Sequence, residues 1–271
     1  MAPTDPDIAS PSNPRIRAAV RLRDRSEREQ RGLTIVDGAR ELRRAIEGGA
    51  TIDEAFICEP LIRTPDAEDA VAALRSTRVP LVSVTQAAFE KLAFGDRSDG
   101  LVALVRIPDT RLEGLQLRAD PLLVVIEAVE KPGNVGATLR SADGAGADAV
   151  IAADPRTDLF NPNAIRASLG TMFTVPVAAA PTPDVIAFLR DRAIGVVAAR
   201  VDATTLYTDV DLRGPVAIVF GSEAEGLTDA WAAADVTPVR LPMLGVADSL
   251  NVSVSAAILL YEARRQRGIP R

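Results

Sequence analysis

The stretch Glu130–Asp148, EKPGNVGATLRSADGAGAD, follows directly on the apolar run PLLVVIEAV at 121–129. The apolar run predicts a buried strand, and the glycine-rich turn after it predicts a tight passage into a helix. The N-terminus of a helix placed in this way often binds a phosphate group. The stretch therefore predicts an α/β fold, and its turn is a candidate binding site.

The glycine spacing leaves several interpretations of this turn open. A dinucleotide-binding turn reads GxGxxG, with an acidic residue at the end of the next strand. Gly133 and Gly136 are three residues apart, which departs from that spacing, although the next apolar run does end at Asp154. A P-loop needs Lys-Ser or Lys-Thr after its glycines, and neither follows here. A tight strand-to-helix turn without a ligand also fits.

The same alternation of apolar strand, glycine turn and helix recurs downstream. VAIVFGSEAEGL covers 216–227, and LPMLGVADSLNVSVSAAILLYEARRQR covers 241–267. Further strands are predicted at DAVIAAD, TVPVAAA, IGVVAARVD and VTPVRLP, with helices between them that include NAIRASLGTM and LTDAWAAA. Apolar strands joined by helices predict a parallel sheet covered on both faces. Its three glycine turns lie after strands, where ligands bind in open α/β sheets.

The residues before this region predict a separate, smaller domain. Residues 13–107 begin with a basic helix and predict an α/β domain with strands at GLTIVDG, IDEAFICEP, VPLVSV and GLVALVRIP. The polar residues 108–120 predict a linker, and 121–271 form the second domain. Residues 1–12 are polar and rich in proline, which predicts a disordered tail.

Composition excludes several kinds of chemistry. The chain of 271 residues has no histidine and a single cysteine, Cys58. Histidine bases, Ser-His pairs and the usual zinc sites are therefore absent, and no metal is expected. The sequence has neither an 18-residue uncharged apolar segment nor a basic-then-apolar leader. We therefore expect no membrane span, no secretory signal and a cytoplasmic location.

Charge is distributed unevenly along a chain whose net charge is −6. Residues 13–47 carry ten arginines and six acidic residues, whereas 48–271 carry 21 basic and 29 acidic residues. Arg40, Arg43 and Arg44 lie on one predicted helix. A basic helix of this kind is a candidate for phosphate contacts.

Three segments, in this order, resemble the motifs of the SpoU (TrmH) family of RNA ribose 2′-O-methyltransferases, in the SPOUT superfamily. The matching residues are Asn134, Gly136 and Arg140 in the first segment, Gly221, Ser222, Glu223 and Gly226 in the second, and Leu241, Pro242, Met243, Gly245, Ser249, Leu250, Asn251 and Ser253 in the third. The resemblance covers 121–267, and 13–107 looks like that family's substrate-binding module. It implies a parallel-sheet catalytic domain with a C-terminal trefoil knot.

The resemblance implies methyl transfer from S-adenosylmethionine to a ribose 2′-hydroxyl of RNA, with 23S ribosomal RNA as the expected substrate. Transfer RNA is the alternative substrate, and a catalytically silent RNA-binding protein on the same scaffold is the alternative function. A nicotinamide-dependent dehydrogenase is disfavoured by the glycine spacing. Because the sulfonium cofactor carries its own activated methyl group, the reaction requires neither a metal nor a covalent intermediate.

The resemblance also assigns residues to the cofactor. Groups around Gly221, Ser222, Leu241, Met243 and Leu250 are expected to hold its adenosine. These residue types suit that role, because apolar side chains can enclose an adenine while backbone groups bind its edge. Core packing is the alternative role for the three apolar residues.

Arg140 is the expected catalytic residue by resemblance. The family arginine is described as activating the hydroxyl, but a guanidinium is always protonated in proteins. We therefore favour a fixed cation that stabilises the developing alkoxide. Asn134 and Glu223 are expected to hold each other and Arg140. Ser249 is either the N-cap of the last helix or a substrate contact, whereas Asn251 is expected inside the first turn, near the reacting hydroxyl.

RNA and a second subunit are the expected partners. Arg166 matches a family arginine assigned to RNA phosphate, with a solvated helix face as the alternative, and Arg40, Arg43 and Arg44 are expected to add phosphate contacts. The last helix carries an apolar stripe made of Val252, Ala256, Leu259, Leu260 and Ala263. The stripe is predicted to pack on its own sheet and, by resemblance, on a second copy in a homodimer.

Overall fold

The structure is a computed structural model that describes residues 6–94, 99–233 and 235–268. The chain divides into two compact units. The first comprises Met1–Pro108 and Phe160–Thr174, and the second comprises Asp109–Leu159 and Val175–Arg271. The predicted second domain included the whole of 121–271, so the segment Phe160–Thr174 lies in a different unit from the one predicted.

Helices and strands are interspersed through both units. The helices are α1 (Pro14–Arg21), α2 (Arg25–Arg31), α3 (Ala39–Glu47), α4 (Pro65–Arg75), α5 (Gln86–Leu92), α6 (Pro132–Ala145), α7 (Pro162–Ala167), α8 (Thr182–Asp191) and α9 (Val252–Arg267). The strands are β1 (Leu33–Asp37), β2 (Ile52–Ile57), β3 (Leu81–Ser83), β4 (Leu101–Arg106), β5 (Leu122–Glu127), β6 (Ala149–Ala153), β7 (Val177–Ala180), β8 (Gly195–Ala199), β9 (Val216–Phe220) and β10 (Val236–Val239). Every strand predicted from the sequence is present.

The first unit is built on a four-stranded sheet with the order β1–β4–β2–β3. Strand β4 pairs antiparallel with β1 and β2, and β2 pairs parallel with β3. Its core includes Ile16 and Leu22, which precede the sheet in the chain, and Phe56 and Phe89. The single cysteine, Cys58, is buried in the same cluster.

The start of the described chain is held against β3. The Ile8 N–H donates to the Ser83 carbonyl, the Thr85 N–H donates to the Ile8 carbonyl, and the Ile8 side chain is buried. The prediction of a disordered tail over 1–12 is therefore wrong at Ile8, because one apolar residue among the prolines reaches the core. The part of that prediction covering Met1–Asp5 lies outside the described residues.

The segment Phe160–Thr174 joins the first unit through buried contacts. The Thr34 hydroxyl donates to the Phe160 carbonyl at 2.7 Å. Gly170 has a φ of +82° and lies so close to the backbone of Glu41 that a Cβ would meet the Glu41 Cα at 2.8 Å. The left-handed backbone ends helical structure here, so the single helix predicted over NAIRASLGTM is instead α7 followed by a 3₁₀ turn at Thr171–Phe173.

The second unit confirms the predicted parallel sheet. Its order is β10–β8–β9–β5–β6–β7, and every neighbouring pair is parallel. The central strands β5, β6 and β9 are buried along their whole length, as continuous apolar runs predict. Strand β10 contains Pro238 and lies at the edge, where a residue without an N–H removes no ladder bond.

Helices α6 and α9 pack against each other in the second unit. Helix α6 begins with Pro132 and ends at Gly146, whose left-handed φ of +65° closes the helix. The Arg264 side chain of α9 donates to the carbonyls of Ala145 and Gly146 at that end. The five residues of the predicted apolar stripe on α9 are all buried within this unit.

The predicted helix LTDAWAAA is only a 3₁₀ turn, Asp229–Trp231, in the described residues, and Ala234 lies outside them. The Thr228 N–H is bound by a side chain from another strand, and Trp231 is buried in the core. These tertiary contacts override the local helix propensity. Across the described ranges, none of the helices has the length and apolar character that crossing a bilayer requires.

Glu41 lies in the first turn of α3 and is almost completely buried. Burial raises the pKa of its carboxyl group, and the nearby Arg166 and Arg40 only partly oppose this shift. The folded state therefore favours the protonated carboxyl more than the unfolded state does. The stability that Glu41 contributes is fully present below its unfolded pKa and is lost as the pH rises through its folded pKa.

We therefore expect Glu41→Gln to stabilise the first unit relative to the native chain as the pH rises from 4 to 7. The gain has a simple cause, since glutamine cannot become a buried anion. The single cysteine, Cys58, lies buried in this unit, so pulse labelling of its thiol in increasing urea measures the unfolding. Glu47→Gln, at the exposed end of the same helix, is the control. A pH-independent difference between Glu41→Gln and the native chain would contradict this expectation.

Candidate functional site

The strand order of the second unit creates a crevice at the centre of its sheet. From β5 the chain proceeds outward through β6 and β7, then crosses by α8 to the other side of the sheet. The order in which strands are added to the sheet therefore reverses between β5 and β9. These two strands are neighbours and run parallel. Ligands of open α/β sheets bind at the carboxyl ends of strands at such a point.

A closed turn follows β9. The N–H of Ser222 donates to the Gly226 carbonyl, and the Gly226 N–H donates to the Ser222 carbonyl, both at 3.1 Å. The Ser222 hydroxyl accepts from the Glu225 N–H. Gly221 packs directly on the Gly226 and Leu227 backbone, leaving no room for a Cβ. A glycine is required at 221 because this turn folds back on itself.

A buried carboxylate anchors the exit of the turn. Glu127, the last residue of β5, is 1% exposed. Its Oε2 accepts from the Thr228 N–H at 2.8 Å, and its Oε1 accepts from the hydroxyls of Thr228 and Thr182 at 2.8 and 2.9 Å. One side chain on the central strand therefore fixes the segment after β9 and the start of α8.

Three predicted site residues form a hydrogen-bonded chain. The Asn251 Nδ2 donates to the Asn134 Oδ1 at 3.1 Å, and the Asn134 Nδ2 donates to the Glu223 Oε1. Asn134 lies in the first turn of α6, Glu223 in the turn after β9, and Asn251 directly before α9. The predicted contact between Asn134 and Glu223 is confirmed, and the three motif segments meet at one place.

Asn251 is also the N-cap of α9. Its Oδ1 accepts from the Ser253 N–H at 2.9 Å and from the Ser253 hydroxyl at 2.7 Å. The expectation that Asn251 lies inside the first turn is therefore wrong, and so is the alternative that Ser249 caps this helix. The helix begins later than the serine because the amide of Asn251 satisfies the first free N–H groups.

Arg156 is not part of this hydrogen-bonded chain, but it connects the loop before α6 with the turn after β9. Its guanidinium donates to the Glu130 Oε1 and to the Glu225 Oε2, both at 2.8 Å. The hydrogen bonds with Glu130 and then with Glu225 raise the pKa of Arg156. The two ion pairs connect the approach to α6 with the turn after β9.

A cavity of about 460 Å³ opens beside this turn and is lined by residues from 199–202, 220–227 and 248–255. This volume lies within the usual range for small-molecule sites. The predicted site residues in its wall are Gly221, Ser222, Glu223, Ser249 and Leu250. Leu241 and Met243 are half-buried, and neither belongs to the wall as formed by the described residues.

The wall of this cavity is acidic. It contains the carboxylates of Asp202, Glu223, Glu225 and Asp248, and one guanidinium, that of Arg200. The hydrogen bond from Arg200 to Asp202 raises the pKa of the guanidinium and lowers the pKa of the carboxyl. Both groups therefore stay charged over a wide pH range. Asp202 is paired with Arg200 and Glu225 with Arg156, whereas Glu223 and Asp248 have no ion pair among the described residues. These two carboxylates favour a ligand with positive charge.

Arg140 is the ninth residue of α6, and its side chain is exposed. It forms no hydrogen bond or ion pair with the described residues. The predicted contact of Asn134 and Glu223 with this arginine is therefore not found. Its guanidinium faces solvent and is available to a partner outside the chain.

The four arginines predicted to bind RNA lie in the first unit and have protein contacts. Arg40 and Arg43 lie within 4.0 Å of Asp66, and Arg44 donates to the Leu169 carbonyl at 2.7 Å. Arg166 lies 3.7 Å from Asp37 and 5.7 Å from the centre of the Phe94 ring. Their assignment to RNA stays a prediction. Arg44 and Arg166 also connect elements of the first unit, through Leu169 and Asp37 respectively.

The sequence patterns missed Glu127 and Arg156, as well as the charged residues Arg200, Asp202, Glu225 and Asp248 of the cavity wall. Glu127 ends an otherwise apolar strand, and a carboxylate there is a signal that could have been used, because a buried charge needs partners. Arg156 gave no such signal, because its partners Glu130 and Glu225 are 26 and 69 residues away in the chain.

We expect Glu127→Ala to destabilise the second unit by about 2–5 kcal/mol, because it leaves a cavity and the donors of Thr228 and Thr182 without acceptors. Glu127→Gln should cost much less, since its amide oxygen can still accept from the Thr228 N–H. The single tryptophan, Trp231, is buried three residues from Thr228, so its fluorescence in urea reports this unfolding.

Glu130→Gln removes a charge from an exposed position and serves as the control, with an expected cost of about 0–1 kcal/mol. Hydrogen exchange at 221–228 gives an independent reading, and faster exchange confined to that segment is expected for Glu127→Ala. An unfolding free energy within about 0.5 kcal/mol of the native value would contradict the anchoring role.

Two stretches of the chain match known families of domains. Residues 121–261 match the SpoU rRNA methylase family, and residues 13–103 match the MRM3-like substrate binding domain. The first match spans the β5 to α9 region that contains the hydrogen-bonded chain and the cavity.

Individual relatives agree with these matches. The 23S rRNA (guanosine-2′-O-)-methyltransferase RlmB of Ralstonia nicotianae is 33% identical over 81% of this chain and 90% of its own. A crystal structure of an RNA 2′-O ribose methyltransferase superposes with a TM-score of 0.84, 43% identity and coverage of 96% and 98%. The SpoU methyltransferase AviRb from Streptomyces viridochromogenes, crystallised with AdoMet, has a TM-score of 0.84, 29% identity and coverage of 94% and 98%. This chain belongs to the SpoU rRNA methylase family.

Proposed function

We propose that this protein transfers a methyl group from S-adenosylmethionine to a ribose 2′-hydroxyl of RNA, and that 23S ribosomal RNA is its substrate. The observation that carries the proposal is the meeting of three family motifs, through Asn134, Glu223 and Asn251, beside one cavity of ligand size. The name of the relative RlmB states this class of activity, and AviRb is named as a methyltransferase crystallised with AdoMet.

The residues of the cavity suit S-adenosylmethionine. When bound, this cofactor supplies a methyl group activated by its positively charged sulfonium. The four carboxylates of the wall complement a ligand that carries a sulfonium and an ammonium group. Leu250 and the backbone of 220–227 offer an apolar surface and hydrogen-bonding groups for an adenosine.

The same charges disfavour the dehydrogenase alternative. The pyrophosphate of a nicotinamide dinucleotide would have to lie in a cavity with four carboxylates and one guanidinium in its wall. In the turn after β9, the N–H groups of Ser222, Glu225 and Gly226 are already bound within the turn, so these three are not available to a phosphate.

Residues of the chain have two separate roles in this reaction, positioning the loops and stabilising charge. The hydrogen-bonded chain of Asn251, Asn134 and Glu223 fixes the relative position of α6, α9 and the turn after β9. Arg140 provides a permanent cation that orients a backbone phosphate and stabilises the developing alkoxide, and the proton leaves to water or a phosphate oxygen. This role fits an arginine that no protein group within the described residues neutralises.

A catalytically silent RNA-binding protein is the weaker alternative. Loss of catalysis would remove selection on Asn134, Arg140, Glu223 and Asn251, yet all four are present and three of them are hydrogen-bonded together. Transfer RNA remains the alternative substrate. The two-unit organisation, with a substrate-binding module ahead of the methylase region, favours ribosomal RNA.

Two experiments test the function. In titrations with S-adenosylmethionine and with NAD, saturable binding of the sulfonium cofactor alone supports the proposal, and binding of NAD alone overturns it. Mapping of 2′-O-methylation in ribosomal and transfer RNA from cells with and without the gene then identifies the substrate. A ribosomal RNA substrate would also place the protein in the cytoplasm, where ribosomes are assembled.

The active form in this proposal is a homodimer with a trefoil-knotted catalytic domain. The predicted stripe on α9 cannot supply the dimer surface, since its own unit already covers it. Other apolar side chains are exposed nearby: Leu244 and Val246 project fully, and Val254 and Tyr261 are about half exposed on α9. The last two are seven residues apart on one helix face, as an interhelical contact requires.

We expect Arg140→Ala to lower single-turnover methyl transfer by about 10²–10³-fold, the usual loss on removing one group that stabilises an oxyanion. The affinity for S-adenosylmethionine, measured by calorimetry, should stay within a few fold, because Arg140 is not in the cavity wall. Arg190→Ala, also on an exposed helix surface, is the control. Lost cofactor binding with normal turnover of the bound enzyme would contradict the role.

We expect the double variant Val254→Glu, Tyr261→Glu to be a monomer, because it places charges on the apolar face of α9. Light scattering coupled to size exclusion should then give the chain mass of 28.6 kDa, and twice that mass for the native protein. Val201→Glu adds a charge at another exposed apolar position and should leave the dimer intact. A native protein with the monomer mass would rule the dimer out.

A further inference from the structure

Four arginines surround a second cavity at the opposite end of the second unit. The cavity of about 470 Å³ is lined by Arg118, Arg213, Arg264 and Arg267, together with Ala119, Asp120 and Gln266. Arg267 donates to the carbonyls of Asp120, Pro121 and Gly214, which directly precede β5 and β9. This basic cavity therefore lies at the amino ends of the strands, whereas the candidate site lies at their carboxyl ends.

Two of the four guanidiniums have no carboxylate partner among the described residues. Arg264 donates to the carbonyls of Ala145 and Gly146, and Arg267 donates only to backbone carbonyls. Neutral carbonyls orient these side chains without cancelling their charge. Burial lowers the pKa of Arg267. The carboxylate of Asp148 opposes this shift, and the nearby like charge of Arg264 adds to it.

The other two arginines are paired but exposed. Arg118 binds Asp148 and Arg213 binds Asp211, with about two-thirds of each arginine side chain open to solvent. A guanidinium has five N–H donors, and an ion pair of this kind uses only two or three of them. Each side chain can therefore still bind a phosphate oxygen.

This concentration of positive charge runs against the composition of its unit. Residues 109–159 and 175–271 carry 14 basic and 20 acidic side chains, so the unit as a whole is acidic. Four arginines facing one cavity, with Asp120 as the one carboxylate in its described wall, therefore form a local basic surface. Planar guanidiniums that converge in this way match the geometry of phosphate oxygens.

We propose that the basic cavity binds backbone phosphates of the substrate RNA at a point remote from the reacting ribose. The proposal rests on the function proposed above, because it takes the substrate to be a large, folded RNA. Helix α9 runs from Asn251 at the candidate site toward the basic cavity, and its 16 residues span about 24 Å. Only an RNA that extends well beyond the modified nucleotide can reach both ends.

The test compares two double variants that each remove two exposed ion-paired arginines from this unit. Arg118→Gln, Arg213→Gln alters the basic cavity, and Arg111→Gln, Arg190→Gln removes the same charge elsewhere. The dissociation constant for a long ribosomal RNA fragment is measured from 50 to 200 mM NaCl, in parallel with a short hairpin that contains the modified nucleotide. Trp231 fluorescence and S-adenosylmethionine affinity establish that each variant is folded.

The cavity variant should bind the long fragment roughly tenfold more weakly, and the slope of log affinity against log salt should fall by about 1.4–1.8, since each of the two lost phosphate contacts removes about 0.7–0.9. Its affinity for the short hairpin, and its methyl transfer at saturating RNA, should match those of the control. If the double variant does not fold, Arg213→Gln alone is used, and its slope should fall by about half as much.

Equal slopes for the cavity and control variants overturn this proposal while leaving the methyltransferase function intact. Equal losses on the long and the short RNA also overturn it, because they place the contact next to the reacting ribose. If millimolar inorganic phosphate stabilises the native protein but not the cavity variant, and the salt slopes do not differ, the cavity is a free-anion site and not an RNA contact. A native protein that binds no RNA overturns both proposals.

Discussion

The arrangement of the candidate site depends on the hydrogen bonds of one buried carboxylate. Glu127 ends the central strand β5, and the same strand leads into α6, which carries Asn134. Its two oxygens hold Thr228 and Thr182, so the segments after β9 and β7 are fixed relative to β5. A buried anion without donors would be very costly, whereas one with three donors is rigid. The turn at Gly221 and Gly226 is therefore presented to ligands in a single position, and binding need not order it.

The amide of Asn251 extends this rigidity to α9 by serving two structures at once. Its oxygen caps the helix through Ser253, and its nitrogen donates to Asn134. Because one planar group makes both contacts, the first turn of α9 cannot move independently of α6. The final acceptor in this series of hydrogen bonds is the carboxylate of Glu223, which lies in the wall of the cavity. A ligand there meets loops that are already joined, which lowers the ordering entropy lost on binding.

Sequence patterns predicted every strand and the parallel sheet, because continuous apolar runs determine burial locally. They also predicted that Asn134 and Glu223 hold each other, because an amide can donate to a carboxylate, whereas the predicted contact of both with Arg140 is not found. They failed where a distant partner decides the structure. Ile8 is ordered by β3, and the segment Phe160–Thr174 joins the first unit through Thr34 and the backbone of Glu41. Ser249 was one candidate for the cap of α9, because propensity alone does not distinguish a serine from an asparagine two residues later.

In the second unit, carboxylates line a cavity at the carboxyl ends of the strands and arginines line a cavity at the amino ends. This separation of charge helps to explain how an acidic protein can act on RNA. Four carboxylates line the cavity at the carboxyl ends, where a cationic cofactor is favoured and a phosphate is repelled. The reacting ribose must approach that cavity with its flanking phosphates, so a cation such as Arg140 is needed beside it. The first unit contributes no net charge, with 17 basic and 17 acidic side chains, despite its arginine-rich start. The affinity for a polyanion must then come from local groups of arginines, because the net charge of the protein opposes binding.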